Sequence, residues 1–124
     1  MIPVRANPDT WAKKLYIASK IGTTLDDEGN EISTYNEPQE YMFNYRAISS
    51  DAELVEFGEK ADITQRMVID RKYEGYFKEF DVAYLYGASP EDEINNGDNA
   101  NYVLLPPRIG NSVIIIYMQK IIRE

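Results

Sequence analysis

The chain has 124 residues, a formal net charge of −8, no cysteine and no histidine. Lacking those two residue types, it can form no disulfide, thiolate centre, Cys/His zinc site or triad with an imidazole base. With 44% hydrophobic and 27% charged residues the composition is that of one ordinary globular domain, and its acidity argues against gripping nucleic acid through cationic contacts to phosphate.

Tyrosine is the unusual count, with ten copies against four Phe and one Trp. An apolar ring with a polar tip suits half-buried strand faces and interfaces. No apolar run approaches the roughly 18–20 residues of a membrane span, and no cationic-then-apolar leader opens the chain. A soluble protein of a reducing compartment, with no membrane partner, is expected.

In chain order, residues 1–10 (MIPVRANPDT) carry prolines at 3 and 8 and no amphipathic period, which predicts an extended arm. In Trp11–Ile21 a strand would align Leu15, Ile17, Ser19 and Ile21, whereas a helix would align Trp11, Leu15 and Ala18. The β-branched content and Gly22 favour a strand for the second half. Thr24–Gln39 is polar, with a turn at Glu28-Gly29-Asn30 between short extended pieces and a stop at Pro38. Glu40–Ile48 alternates, with Tyr41, Phe43, Tyr45 and Ala47 sharing one face, and reads as a strand.

Ser50 and Glu53 have the spacing of a capping box. They predict a short helix with Leu54, Val55 and Phe57 as its apolar side and Gly58 as its stop. Ile63–Asp70 and Asp81–Tyr86 read as strands, separated by a polar connection at Arg71–Gly75. Gly87–Ala100 is a long acidic loop rich in turn formers. Residues 101–122 read as a C-terminal β-hairpin, its turn at Gly110-Asn111, a pair able to take positive φ. Val113–Met118 is apolar on both faces, so both should be covered, one by the core and the other by a neighbouring subunit or, in a fully covered central strand, by the domain itself. The sum is a single domain, residues 1–124: a mainly β, small antiparallel barrel or sandwich with one short helix.

Tests for chemistry fail. An EF-hand frame set on Gly29 would begin at Thr24 and end at Tyr35, and one set on Gly97 has Ile94 at its third position. Phosphate-binding glycine loops and the nucleophile-elbow pattern do not occur. No enzyme activity, cofactor or metal is expected.

Four stretches carry a resemblance. They are DDEGNEISTYNEPQEYMFNYRAIS (Asp26–Ser49), a helix ending in Phe57-Gly58, the strand ADITQRMVID (Ala61–Asp70), and GDNANYVLLPPRIGNSVIIIYMQKI (Gly97–Ile121). Over residues 14–122 the chain resembles the head-closure, or head–tail joining, proteins of long-tailed bacteriophages. It departs from them at Pro106-Pro107, which interrupts the penultimate strand, and in the length of the acidic loop.

The resemblance implies a virion subunit made in the host cytoplasm and resident in the neck. It would form a homo-oligomeric ring beneath the portal and adaptor, seal packaged DNA that passes without specific binding, and dock the tail. Pro3, Val4, Ile114, Ile116 and Met118 would then be subunit contacts, and Glu91, Asp92, Glu93 and Asp98 a channel or docking loop. Two alternatives stand beside it: another tail component such as a tail terminator, or a small acidic inhibitor that mimics DNA charge.

Overall fold

A computed structural model describes residues 12–122. Among them are nine strands and one α-helix: β1 (Lys13–Ala18), β2 (Lys20–Leu25), β3 (Glu31–Tyr35), β4 (Gln39–Ala47), α1 (Asp51–Phe57), β5 (Thr64–Asp70), β6 (Val82–Tyr84), β7 (Tyr102–Leu104), β8 (Arg108–Ile109) and β9 (Val113–Lys120). Short 3-10 helices occupy Gly58–Ile63 and Arg71–Tyr73.

Six strands close into an antiparallel barrel in the order β5-β4-β1-β6-β7-β9, with β9 pairing back onto β5. That closing seam is long: Thr64 to Asp70 face Gln119 to Val113. The mainly β barrel with a short helix is therefore the architecture. β8 extends the line of β7 along the same edge of β9, Tyr102–Leu104 facing Lys120–Met118 and Arg108–Ile109 facing Ile115–Ile114. Between them lie Pro106 and Pro107, which have no N–H to offer the ladder and so divide one arm into two short strands. Leu105 N still donates to the Tyr117 carbonyl at 2.8 Å.

Alternation decides what fills the barrel. Leu15, Ile17, Phe43, Tyr45, Met67 and Ile69 point inward from β1, β4 and β5, and meet Leu104, Ile114, Ile116 and Met118 from β7 and β9. A one-residue slip would turn this whole set to solvent, so the register is strongly specified. At one mouth Tyr41, Phe43, Tyr73 and Phe77 pack edge-on and stacked, with ring centroids 5.0–6.4 Å apart.

Several sequence expectations are corrected. The first strand ends at Ala18, and Ile21, expected on the face of Leu15, sits 61% exposed in a separate two-stranded sheet formed by β2 and β3. Ala47 is exposed, and Ile48 goes inward instead as β4 gives way to the helix. The final hairpin is present, but neither Gly110 nor Asn111 takes positive φ. Its turn is longer than two residues, with Ile109 opposite Ile114 and Gly110 N donating to the Val113 carbonyl at 2.8 Å.

Candidate assembly surfaces

The barrel's outer wall is covered in two places by the chain's own irregular segments. The first cover is α1. Ser50 Oγ accepts from Glu53 N at 3.2 Å while Ser50 N donates to the Glu53 carboxylate at 3.3 Å, completing the capping box. Of the expected apolar side, Leu54 and Val55 are exposed, 43% and 83%, and only Phe57 packs against the barrel. The helix instead buries Glu53, whose Oε2 accepts the Tyr117 hydroxyl at 2.6 Å and pairs with Arg66 Nε at 3.3 Å. Phe57 packs on the Tyr117 ring at 4.8 Å, and the Arg108 guanidinium lies 4.7 Å from the same ring. Burial pushes the Glu53 carboxyl up, but the bonds from Tyr117 and Ser50 and the Arg66 charge outweigh it and hold it below its ordinary range.

The second cover is the loop 87–100, laid over the outer face of β6. Tyr84 is fully buried beneath it; its hydroxyl donates to Glu93 at 2.6 Å and accepts from Gly97 N at 2.9 Å. Glu93 also accepts from Asn99 N at 2.8 Å, and Asp98 from Asn95 N at 3.0 Å. Burial, with Glu93 next to it, drives the Tyr84 phenol far above its ordinary range. Gly97 has φ 94°, and a Cβ there would lie 2.6 Å from Tyr35 Cδ2. The loop is therefore pressed against β3 as well as β6.

One residue that the sequence did not single out anchors the start of β6. Asp81 is fully buried and accepts from Lys20 N and Lys78 N, each at 3.0 Å, and from Ser19 Oγ at 3.4 Å, with Lys78 Nζ at 3.0 Å. It joins the β1–β2 junction to the strand that follows. The only local signal is an acid directly before the buried triplet Val82–Tyr84. Among the described residues every buried side-chain polar atom has a hydrogen-bond partner.

The β2–β3 hairpin forms its own sheet, tied to the barrel at its base by Tyr35 and by Lys20 N, which donates to Asp81. Its turn is held by Asp26, which accepts from Glu28 N at 2.9 Å and Asn30 N at 2.8 Å, with Gly29 at φ 85°. Ile21, Leu25 and Ile32 are exposed on it at 61%, 68% and 47%. A cleft of about 640 Å³ is lined by the hairpin and residues 95–98, which also touch it: Asn96 Nδ2 donates to the Tyr35 carbonyl at 3.3 Å.

The expected site residues distribute as follows. Pro3 and Val4 lie outside the described residues. Ile114, Ile116 and Met118, expected as subunit contacts, are 2%, 1% and 0% exposed inside the barrel, because their parity on β9 is the inward one. The other face of β9, expected to need a neighbour, is covered at Tyr117 by α1. Of the loop acids, Glu93 and Asp98 hold the loop together, while Glu91 and Asp92 lie on its exposed side. Among the described residues no group of three or more acids is gathered as a metal cage.

Fold and surfaces together define a small closed β-barrel with two self-made covers and a separate two-stranded hairpin. No family model matches the sequence, and no curated protein matches it. The chain is similar in fold to protein SF1141 from Shigella flexneri 2a, known from a solution structure. The TM-score is 0.54 at 16% identity, over 93% of this chain and 96% of that one. At that identity the likeness concerns the fold alone.

Proposed function

We propose that this chain is a structural connector subunit of a tailed-phage particle. It acts in head closure or head–tail joining, assembled as a ring that packaged DNA passes without being gripped. The observation that carries the reading is the separate β2–β3 hairpin: three large aliphatic side chains held in water on a sheet too small to bury them. A two-stranded ribbon is marginal by itself, and exposed apolar strands tend to find partners. The order of elements supports the same reading, since an acidic glycine turn, a short helix ending in Phe57-Gly58, a strand and an apolar terminal hairpin follow one another. An acidic exterior also suits a passage that must not hold its cargo. The inhibitor alternative is weakened, because Glu93 and Asp98 are committed to the loop's own hydrogen bonds.

The test is direct. Mass spectrometry of purified virions should find this polypeptide in stoichiometric amount, and electron cryomicroscopy should place it as a ring at the neck. Particles that lack it would end the proposal.

A further inference from the structure

We propose that Asn96-Gly97 is a site of spontaneous succinimide formation that the loop 87–100 keeps closed, and that its conversion to aspartate or isoaspartate unties this loop from the β2–β3 hairpin. The inference goes beyond the ring reading and does not rest on it.

The chemistry belongs to the sequence. Of the nine asparagines, Asn96 alone is followed by glycine. In such a pair the backbone nitrogen of the glycine attacks the side-chain amide carbon of the asparagine. A C–N bond forms, the side-chain nitrogen leaves as ammonia, and the product is a cyclic imide. Solvent water then opens the ring at one of its carbonyls. The result is an aspartate or, with the main chain rerouted through the side chain, an isoaspartate. Glycine favours the attack because no Cβ crowds the nitrogen and the backbone turns freely.

The fold withholds both reacting groups. Gly97 N donates to the Tyr84 hydroxyl at 2.9 Å, and both residues are buried. Attack requires that this nitrogen lose its proton, and the phenol is no base for it. Tyr84 donates to Glu93 at 2.6 Å, and burial beside that carboxylate holds the phenol neutral. Asn96 is exposed but tethered, its Nδ2 donating to the Tyr35 carbonyl at 3.3 Å. Glu93 also accepts from Asn99 N at 2.8 Å, and Asn99 Nδ2 donates to the Ser89 and Glu91 carbonyls at 3.1 and 2.9 Å. Lifting Gly97 off Tyr84 therefore means opening the cover as a unit, not rotating one side chain.

The product does not fit back. A carboxylate at position 96 offers only acceptors to the Tyr35 carbonyl, where the amide offered a donor. It also adds charge to a loop that already carries Glu91, Asp92, Glu93 and Asp98. In the isoaspartate, the additional main-chain carbon displaces Gly97 from its place against the Tyr35 ring, where even a Cβ would lie 2.6 Å from Cδ2. A reversible opening becomes permanent, and the cleft between loop and hairpin loses the Asn96 bond across it.

Peptide mapping by mass spectrometry, with fragmentation that separates isoaspartate from aspartate, reads the site in the full-length protein. At mildly alkaline pH, Asn96 of the folded wild type should convert on the order of a hundredfold more slowly than in the urea-unfolded chain, the scale of a local-opening equilibrium. Tyr84→Phe deletes the hydroxyl that holds Gly97 N and should speed conversion about tenfold. Asn111-Ser112, exposed in the β8–β9 turn, is the internal reference and should keep its wild-type rate. Glu93→Gln takes the place of Tyr84→Phe if that variant lacks the wild-type circular dichroism spectrum. Asn96→Asp copies one product and should raise hydrogen exchange in residues 87–100 and β3 but not in α1. Conversion of the folded wild type at the unfolded rate, no acceleration in the variant, equal acceleration at Asn111, or unchanged exchange in Asn96→Asp would each overturn the inference.

Discussion

Two tyrosines two strands apart on the barrel's outer wall do the same thing in different company. Tyr117 on β9 and Tyr84 on β6 both turn outward, and each donates its hydroxyl to a glutamate at 2.6 Å. Each pair ties an irregular segment to the wall, α1 in one case and the loop 87–100 in the other. On the β9 side the carboxylate also meets Arg66 and caps a helix. On the β6 side it accepts a backbone amide and leans on Gly97, which alone fits under Tyr35. The difference is instructive. The first cover is held by charge and is sensitive to pH, while the second is held by backbone fit and is sensitive to volume.

The largest effect should come from removing the platform that both covers share. Ile116→Asp places an unpaired carboxylate in the barrel, a cost of about 4 kcal/mol or more. A thermal melt followed by circular dichroism should show no folded baseline at 25 °C; a cooperative melt near wild type would show that β9 is not a buried wall of the barrel. Gly97→Val should cost about 2 kcal/mol, from the left-handed backbone together with the Tyr35 contact. By hydrogen exchange it should loosen residues 87–100 and leave α1 protected. Equal loosening of α1 would show the two covers to be coupled.

Tyr84→Phe and Tyr117→Phe should each cost about 1.5 kcal/mol in urea denaturation, the scale of a hydrogen bond to a charged group. Each should raise exchange only beneath its own cover. The smallest effect separates the pair by pH. The folded Glu53 carboxyl titrates below its unfolded value, so its contribution is complete above the ordinary glutamate range and is lost as pH falls through the lowered folded value. Wild-type stability should therefore fall more steeply than that of Glu53→Gln between about pH 5 and pH 3. Parallel curves would mean that Glu53 is not what makes the α1 side sensitive to acid.

What could be read from the sequence was what short spacing determines. The alternation of Tyr41, Phe43 and Tyr45 gave β4, and Ser50 with Glu53 gave the helix start, because each depends on neighbours two or three residues away. The partners of those same residues were out of reach. Glu53 reads locally as a cap, and nothing near it announces Tyr117, 64 positions on. That missing contact is why the outer face of β9 looked in need of another subunit, and why Leu54 and Val55 looked like the packed side of α1. The role of Glu93 inside the acidic loop was out of reach for the same reason: it is an interior ligand only once Tyr84 has been brought beneath it. The separate hairpin escaped notice because its local pattern, short extended pieces around a glycine turn, does not say which sheet a strand will join.

The placement of the end strands has a mechanical consequence. β1, where the described chain begins, lies between β4 and β6, and β9, where it ends, lies between β5 and β7. Neither is a free edge that could be peeled away one bond at a time. A pull on either end of the chain must shear two ladders together, and the seven-pair seam of β9 with β5 carries its load in parallel. Such a barrel should hold its shape under tension until it gives way abruptly.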